Sequence, residues 1–378
     1  MPRIIPTREA LGRHPAALLG SALGLAWAWP AAARPPQASP GPEARAAAAA
    51  LRADWAQFKA RFLAEEGRVV DTGNGGISHS EGQGFAMLVA ERLGDRAAFE
   101  RLLGWTRREL RRPEDALHAW RYRPGVAVPV DDPNNATDGD LCIAWALLRA
   151  GARWGEPAHT EAGRRIARDI LRLLVRQAGP YTVLLPGAAG FDTPEAVVVN
   201  PSYYAFPALA ALSRAVPDPL WKRVTADGLR LLRAAAFGRW GLPPDWLQLD
   251  PADGAASLPS AWPPRFSYDA VRVPLWLAWA RLLDEPALAR AAGFFADPAH
   301  PHAPAWADLA TDAISPYPAT AGLLAIARLA QAGRGCPGEG AGPPPPPPPG
   351  GTAPDYYAAV LVLLARMAGL EGESLPNH

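Results

Sequence analysis

The chain has 378 residues, of which 49% are hydrophobic and 20% are charged, and its formal net charge is +1 at pH 7. This length suffices for a large core in one or two domains, and the near-zero charge excludes the strongly basic surface of a general nucleic-acid-binding protein. The apolar content also excludes an intrinsically disordered chain, and two cysteines, Cys142 and Cys336, provide neither a disulfide framework nor a zinc site, so we expect two free thiols.

Residues 1–35 have the order of a secretory signal peptide. Three arginines lie within the first 13 residues, residues 16–29 form an apolar stretch, and residues 31–33 are alanines suited to cleavage. The apolar stretch is shorter than the roughly 20 residues that span a bilayer, and no later segment is long and uninterrupted enough. We therefore expect a mature protein without a membrane span, in the periplasm or outside the cell; an uncleaved amphipathic helix is the alternative.

Residues 36–378 show the three- and four-residue spacing of apolar side chains that predicts helices. This spacing recurs in segments separated by loops rich in proline and glycine, namely residues 43–66, 81–93, 96–110, 138–150, 160–176, 203–213, 220–236, 268–283, 286–295, 319–332 and 355–368. Residues 182–185 and 197–199 are the only candidate strands. With no close repeat and one helical hairpin per ~55 residues, the pattern predicts a single all-α domain of about twelve helices, closed into a ring of hairpins.

A proline-rich segment, residues 338–351, interrupts this pattern with seven consecutive prolines at residues 343–349. Polyproline cannot form an α-helix, so we expect an extended and solvated arm. The arm is either a docking site for the aromatic groove of a partner or an expanded surface loop. Because helical spacing resumes at residue 355, the loop is favoured.

Two acidic motifs stand where predicted helices begin. Ser80 can cap the helix that follows it, and Glu81 then lies in the first turn, where a carboxylate either stabilises the helix dipole or donates a proton at the mouth of a cleft. In the second motif, Asp138 and Asp140 exceed what helix capping needs, so one of them is free to face a ligand. The loop before them fails the EF-hand template for calcium because Ala136 stands where an oxygen ligand is required.

A third acidic motif and several aromatic residues complete the candidates. Asp269 begins a further predicted helix, with Tyr268 before it and Arg272 one turn later, which is either a common surface ion pair or part of a site. Trp120 and Tyr203 belong to a group of aromatic residues in loops beside carboxylates and amides. Flat rings in such places suit stacking on sugar rings, although any single one of them can also belong to the core.

Together these motifs resemble glycoside hydrolase family 8, and most closely the endoglucanases of bacterial cellulose-synthesis systems. The resemblance extends from residue 69 to the last predicted helix. Its most specific stretch is Ala-Thr-Asp-Gly-Asp at residues 136–140. The other motifs follow in the order of the family, at residues 80–83, 185–191, 200–203, 244–246 and 268–272.

The resemblance implies an (α/α)6 barrel with a substrate groove across one end, and inverting hydrolysis of β-1,4-glucan without a metal or an organic cofactor. It implies that Glu81 is the general acid, that Asp269 is the base that activates water, and that Asp138 holds and distorts the central sugar. The side chains that it implies for the lining of the groove are Trp120, Tyr203, Tyr268 and Arg272.

These roles require two carboxyl groups in different protonation states. An inverting enzyme holds its acid and its base ~6.5–9.5 Å apart, which leaves room for the attacking water. We expect repulsion from Asp138 to keep Glu81 protonated, and the charge of Arg272 to keep Asp269 ionised.

One segment and one further residue depart from the pattern of the family. Residues 84–86 read Gly-Phe-Ala where relatives more often carry Ser-Tyr-Gly, which removes a hydroxyl group near the acid. Tyr122 stands where a second tryptophan is expected, which alters one sugar subsite. Neither departure removes a catalytic carboxylate.

The predicted function is that of an exported, monomeric endo-β-1,4-glucanase that trims nascent cellulose beside the cellulose-synthase export complex and binds no nucleic acid. Xylan, chitosan and mixed-linkage glucan are alternative substrates, and chitosan would fit a strongly acidic groove. Two other functions stay open. One is a non-catalytic glucan-binding component of the export machinery, which the presence of all three carboxylates disfavours. The other is a helical scaffold that docks partners through residues 343–349.

Overall fold

A computed structural model of the protein describes residues 41–332 and 355–372. The signal peptide expected at residues 1–35, the prolines at residues 343–349 and Cys336 lie outside these ranges, so what the sequence predicts for them stays a prediction. Cys142 is a buried, free cysteine.

Eleven α-helices form the framework of the described residues, and each of them overlaps one predicted helical segment. They are α1 (Pro42–Phe62), α2 (Ser80–Leu93), α3 (Arg96–Glu109), α4 (Thr137–Trp154), α5 (Pro157–Leu174), α6 (Phe206–Ala215), α7 (Pro219–Ala234), α8 (Arg272–Trp279), α9 (Pro286–Phe295), α10 (Ala321–Ala332) and α11 (Tyr356–Gly372). The prediction of an all-α fold is confirmed.

The helices close into a ring of hairpins. Helices α2, α4, α6 and α8 pack against one another in turn, and α11 contacts both α8 and α2, which completes the inner layer. Helices α1, α3, α5 and α7 bury mainly one apolar face each and pack outside this layer, as their three- and four-residue spacing predicts. No helix in residues 41–332 or 355–372 combines the length and apolar content that crossing a membrane requires.

In the part of the chain that the structure describes, nine short strands lie in the connections between the helices. They are β1 (Ser78–His79), β2 (Arg121–Tyr122), β3 (Val175–Ala178), β4 (Tyr181–Leu184), β5 (Val197–Val199), β6 (Leu247–Leu249), β7 (Ala256–Ser257), β8 (Arg265–Phe266) and β9 (Ala307–Asp308). They pair antiparallel in four small sheets, β1–β2, β3–β4, β5–β6–β7 and β8–β9. The sequence predicts only β4 and β5, because strands of two or three residues are too short to show an alternating pattern.

Glycines allow α2 and α4 to approach closely at their first turns. A methyl group at Gly84 would lie 2.9 Å from Cβ of Cys142, and one at Gly139 would lie 2.7 Å from the backbone nitrogen of Glu81. Contacts this short force neighbouring atoms apart, so any larger residue would separate the two helices. The close approach brings Glu81 and Asp138, which both lie in first turns, next to each other.

Replacing Gly84 with alanine should lower the free energy of unfolding by about 1–3 kcal/mol, because the new methyl group overpacks the contact between α2 and α4. Gly293 in α9 is the matched control, since a methyl group there would meet no atom within 4 Å. Gly293→Ala should stabilise the protein by about 0.5–1 kcal/mol, as expected for glycine inside a helix. Urea unfolding monitored by circular dichroism measures both, and equal effects would contradict the close contact.

Candidate active site

The three predicted carboxylates meet around one guanidinium group. Nη1 of Arg272 lies 2.9 Å from Oδ2 of Asp138 and also contacts Oε2 of Glu81, while Nη2 lies 2.7 Å from Oδ1 of Asp269. Arg272 is 191 positions from Glu81 and 134 from Asp138 in the chain. Only the closed ring of helices brings these residues together.

Arg272 lies beneath the floor of the cleft, so the prediction that it lines the groove is wrong. Its side chain is only 1% exposed, whereas those of Glu81 and Asp269 are 19% and 28% exposed. Its Nη2 also donates a hydrogen bond of 3.0 Å to Oγ of Ser202, whose own hydroxyl donates to Oδ1 of Asn200. The guanidinium group lies beneath the three carboxylates and holds them in position through its ion pairs.

A cleft of about 450 Å³ opens above this cluster. The other six predicted residues line it: Glu81, Trp120, Asp138, Tyr203, Tyr268 and Asp269. Tyr203 is 9% exposed and belongs to the floor, while Tyr268 is 67% exposed and stands at the rim. The cleft therefore combines carboxyl groups at its base with aromatic rings around them.

Glu81 is placed by the junction of β1 and α2. Strand β1 pairs with β2, and the backbone N–H of Ser80 donates a hydrogen bond of 3.1 Å to the carbonyl of Trp120, which holds the indole beside the start of α2. The predicted capping role of Ser80 is wrong. Its hydroxyl group is buried without a hydrogen-bond partner in the described ranges, and Ser80 is the first helical residue, with His79 before it.

Trp120 is held by a residue that the sequence analysis did not single out. Its indole Nε1 donates a hydrogen bond of 2.8 Å to Oδ2 of Asp132, and the ring of His79 stacks on it at 6.1 Å with an interplanar angle of 12°. The guanidinium group of Arg121 lies 4.3 Å from the centre of the indole ring. Together these contacts fix the plane of the ring that faces the cleft.

The two carboxylates at the start of α4 have separate environments. Asp138 lines the cleft, whereas Asp140 is buried and accepts hydrogen bonds from the backbone N–H of His118 at 2.9 Å and from Nδ2 of Asn135 at 3.0 Å. The ring of His118 also contacts Asp140 at 2.8 Å. Asp140 therefore holds the neighbouring loop, and Asp138 is the carboxylate that faces the cleft.

Asp269 stands in a turn, not in the helix predicted over residues 268–283. Oδ1 of Asp245 accepts hydrogen bonds from the backbone N–H groups of Ser267 at 2.9 Å and Ala270 at 2.8 Å, and its Oδ2 accepts one from the hydroxyl of Ser267. These bonds hold residues 267–270 in a turn, and α8 begins only at Arg272. Asp245 acts as a positioning residue for Asp269.

Two carboxyl groups at the base of the cleft, those of Asp138 and Asp269, have raised pKa values. Burial, and next the charge of Glu81, raises the pKa of Asp138 to about 7, although Arg272 opposes this shift. Burial also raises the pKa of Asp269 to about 7; Arg272 opposes this, and the charges of Asp245 and Asp138 add to it. The expectation that Arg272 keeps Asp269 fully ionised is wrong, because loss of solvation outweighs one positive charge.

Two neighbouring tyrosines at the start of α11 also line the cleft, and the sequence analysis missed them. The hydroxyl of Tyr357 donates a hydrogen bond to the carbonyl of Tyr268, while the hydroxyl of Tyr356 is buried without a partner in the described ranges. A methyl group at Gly82 would lie 2.3 Å from that hydroxyl, so this glycine makes room for the ring. Their only signal in the sequence is an aromatic pair after a proline-rich segment.

The base of the cleft combines three carboxyl groups with one positive charge, that of Arg272. Among the described residues, no group of three or more histidine, cysteine, aspartate or glutamate side chains is arranged to hold a metal ion. Arg272 occupies the position between the carboxylates. The arrangement can hold a proton on one carboxyl group beside an ionised one, which suits general acid and base chemistry.

Comparison with known proteins agrees with this geometry. A sequence model described as "Glycosyl hydrolases family 8" matches residues 43–369. A "Probable endoglucanase" from Novacetimonas hansenii is 48% identical over 77% of this chain and 83% of its own length, and an "Endoglucanase" from Cellulomonas uda is 40% identical over 72% and 75%. The solved structure of endo-beta-1,4-glucanase CMCax from Acetobacter xylinum is 46% identical, with a TM-score of 0.79 over 86% of this chain and 99% of that chain.

Replacing Arg272 with methionine should destabilise the protein by about 3–5 kcal/mol at pH 8, because it leaves buried carboxylates without a counter-charge. The loss should be smaller at pH 5. Asp138 and Asp269 have folded pKa values near 7, above those of an unfolded chain, so the repulsion is relieved by protonation as the pH falls below 7 and grows as it rises. Thermal unfolding at the two pH values measures the difference.

Arg230 provides the control for this experiment. It forms an ion pair of 2.7 Å with Asp227 on the surface of α7, and its side chain is 49% exposed. Arg230→Met should cost at most about 1 kcal/mol, because exposed ion pairs contribute little. An Arg272→Met loss that is the same at pH 5 and pH 8 would contradict a charge-based role for Arg272.

Proposed function

The chain belongs to glycosyl hydrolase family 8 and is an inverting endo-β-1,4-glucanase, and we propose that Glu81 and Asp269 carry out its reaction with Asp138 beside them. The observation that carries this proposal is the convergence of the three carboxyl groups on Arg272 at the base of the cleft. The aromatic rings around them supply a surface for sugars.

Glu81 is the proton donor in this proposal. It lies in the first turn of α2 with part of its carboxyl group open to the cleft, and Nη1 of Arg272 contacts both Glu81 and Asp138. The side chain of Glu81 is 19% exposed and that of Asp138 only 4%. Glu81 is therefore the carboxyl group that a glycosidic oxygen in the cleft can reach, and the proton transfer is assigned to it.

Asp269 is the base that activates water. Its carboxylate is the most exposed of the three, and Asp245 and Arg272 fix its orientation. Glu81 and Asp269 contact different nitrogens of Arg272, so the guanidinium group keeps the acid and the base apart. Such a separation leaves room for a water molecule on the face of the sugar opposite the leaving group.

The reaction then balances without a cofactor. The water oxygen bonds to the anomeric carbon while the bond from that carbon to the glycosidic oxygen breaks. Asp269 takes the proton of the water, and Glu81 gives its proton to the departing oxygen. Attack from the opposite face inverts the configuration of the anomeric carbon. Asp269 then releases its proton to solvent, and Glu81 takes up a proton from solvent, which restores the enzyme.

Aromatic rings extend the sugar-binding surface away from the catalytic carboxyl groups. The ring of Trp246 lies 6.4 Å from Tyr203, 5.0 Å from Trp262 and 5.7 Å from Phe191, and the last two stack on it nearly parallel. Flat apolar rings fit the apolar faces of glucose units, so this row suits a chain of several sugars.

The acidity of the cleft does not by itself call for a cationic sugar such as chitosan. Besides the three central carboxylates, Asp71 and Asp355 line the cleft. Asp71 accepts a hydrogen bond from the backbone N–H of Gly73, and Asp355 accepts one from that of Ala358. Both are engaged as acceptors that stabilise a turn and a helix end, so glucan stays the favoured substrate.

The proposal also includes export of the protein and a role in bacterial cellulose synthesis. The basic start, apolar stretch and alanines of residues 1–35 support export to the periplasm or the cell exterior. The resemblance of the motifs to endoglucanases of bacterial cellulose-synthesis systems supports trimming of nascent cellulose beside the export complex.

Glu81→Gln and Asp269→Asn should each lower kcat on carboxymethyl cellulose about 10²–10⁴-fold, because each removes a proton-transfer group. Reducing-sugar release measures the rate, and Glu65→Gln and Asp284→Asn, which change exposed carboxylates, serve as matched controls with unchanged rates. Near wild-type activity in either test variant would show that its role is misassigned. Proton NMR of fresh product should show the α-anomer first; the β-anomer first would contradict inversion.

Expression of the full chain in a Gram-negative host should place the mature protein in the periplasm, with a new N-terminus shortly after residue 33. The reason is the signal-like order of residues 1–35. Mass spectrometry of the intact protein from each cell fraction measures this, and a variant without residues 1–35 should stay in the cytoplasm. Uncleaved protein found in the cytoplasm alone would contradict export.

A further inference from the structure

A second cavity, of about 640 Å³, shares no lining residue with the cleft. It is lined by residues of α3, of α5 and of the loop between α3 and β2. Its volume lies within the range of pockets that bind small molecules. We call it the arginine cavity, because its lining includes Arg107, Arg111, Arg112, Arg165 and Arg168.

The three carboxylates of the arginine cavity are already engaged. Arg112 binds Asp115 through Nε and Nη2 at 3.0 and 2.9 Å, and its Nη2 lies 2.9 Å from Glu114. Asp169 is paired with Arg172, a residue outside the lining, at 2.8 Å. These acidic groups therefore do not neutralise the remaining arginines.

Three guanidinium groups of the arginine cavity are left without a carboxylate. Arg107, Arg111 and Arg165 form no hydrogen bond through their side chains and no salt bridge with any part of residues 41–332 or 355–372. All three residues are exposed at the rim of the arginine cavity. Partial loss of solvation lowers the pKa of Arg107, and repulsion from Arg165 adds to this effect. Glu100 opposes the shift, but its carboxylate is bound by His159 at 3.0 Å.

We propose that the arginine cavity binds a small organic phosphate through Arg107, Arg111 and Arg165. A guanidinium group presents paired N–H donors that match two oxygens of a phosphate, and several of them around one recess recognise a multivalent anion. The cavity also has an apolar floor that includes Leu103, Leu117 and Ile166. That floor would contact the carbon part of a phosphate ester, which free phosphate lacks.

The wall of the arginine cavity is the same loop that supports the catalytic cleft. His118 lines the cavity and holds Asp140 in the first turn of α4, two residues after Asp138. The loop then continues to Trp120, whose backbone N–H donates to the carbonyl of Asn134. A ligand in the cavity would therefore restrain the loop, so residues 111–118 should exchange their amide hydrogens more slowly when it is bound.

Isothermal titration calorimetry at low ionic strength, with phenyl phosphate and inorganic phosphate as probes, tests this proposal. Phenyl phosphate should bind the wild-type protein more tightly than inorganic phosphate, because only it contacts the apolar floor. The double variant Arg107→Gln/Arg165→Gln should weaken binding of phenyl phosphate at least tenfold, since it removes two charge-assisted contacts. Hydrogen exchange should show protection of residues 111–118 by phenyl phosphate in the wild type and not in this double variant.

The matched control is Arg108→Gln/Arg164→Gln, which removes two exposed arginines from the same helices outside the cavity. It should bind phenyl phosphate as the wild type does. Equal weakening in both double variants, or no binding by the wild type, would overturn the proposal. Vesicles of phosphatidylglycerol added as a third probe distinguish the source of the phosphate: binding that depends on Arg107 and Arg165 would identify a lipid head group as the ligand.

Discussion

One positive charge shared by three carboxyl groups governs the structure of the cleft. Arg272 has almost no contact with solvent, so the carboxylates of Glu81, Asp138 and Asp269 provide its counter-charge, and it provides theirs. Loss of solvation raises the pKa of Asp138 and of Asp269 to about 7 although Arg272 opposes the shift, so one cation does not offset the surrounding carboxylates. Both pKa values therefore lie near neutral pH, in the range that suits groups that accept and release protons.

The architecture around this cluster serves to bring the charges together and to orient them. Gly84 and Gly139 allow the first turns of α2 and α4 to touch, so Glu81 and Asp138 meet at the positive ends of two helices. Burial nevertheless dominates, since the pKa of Asp138 is raised to about 7. On the other side, Asp245 accepts hydrogen bonds from backbone N–H groups before and after Asp269 and so fixes the turn from which Asp269 faces the cleft.

The loop between α3 and β2 lies between two recesses of opposite charge, the acidic cleft and the basic arginine cavity. On one side it leads to Trp120, which faces the acidic cleft, and on the other it forms a wall of the arginine cavity. Asp140, bound to His118, anchors this loop to the helix that carries Asp138. The same buried contact thus stabilises the loop that carries Trp120 and the wall of the arginine cavity.

The sequence by itself was sufficient to predict where the helices lie and which three carboxylates meet in the cleft. Apolar spacing acts within one or two turns, so α9 was predicted at its observed bounds, and the motifs around Glu81, Asp138 and Asp269 are local as well. The packing of the chain decided the rest. Residues far away in the chain determine the buried position of Arg272 and the turn that Asp245 fixes. The packing of the fold likewise buries the hydroxyl group of Ser80. Burial and charge pairing arise from contacts between residues up to 191 positions apart, and no local pattern encodes how much water those contacts exclude.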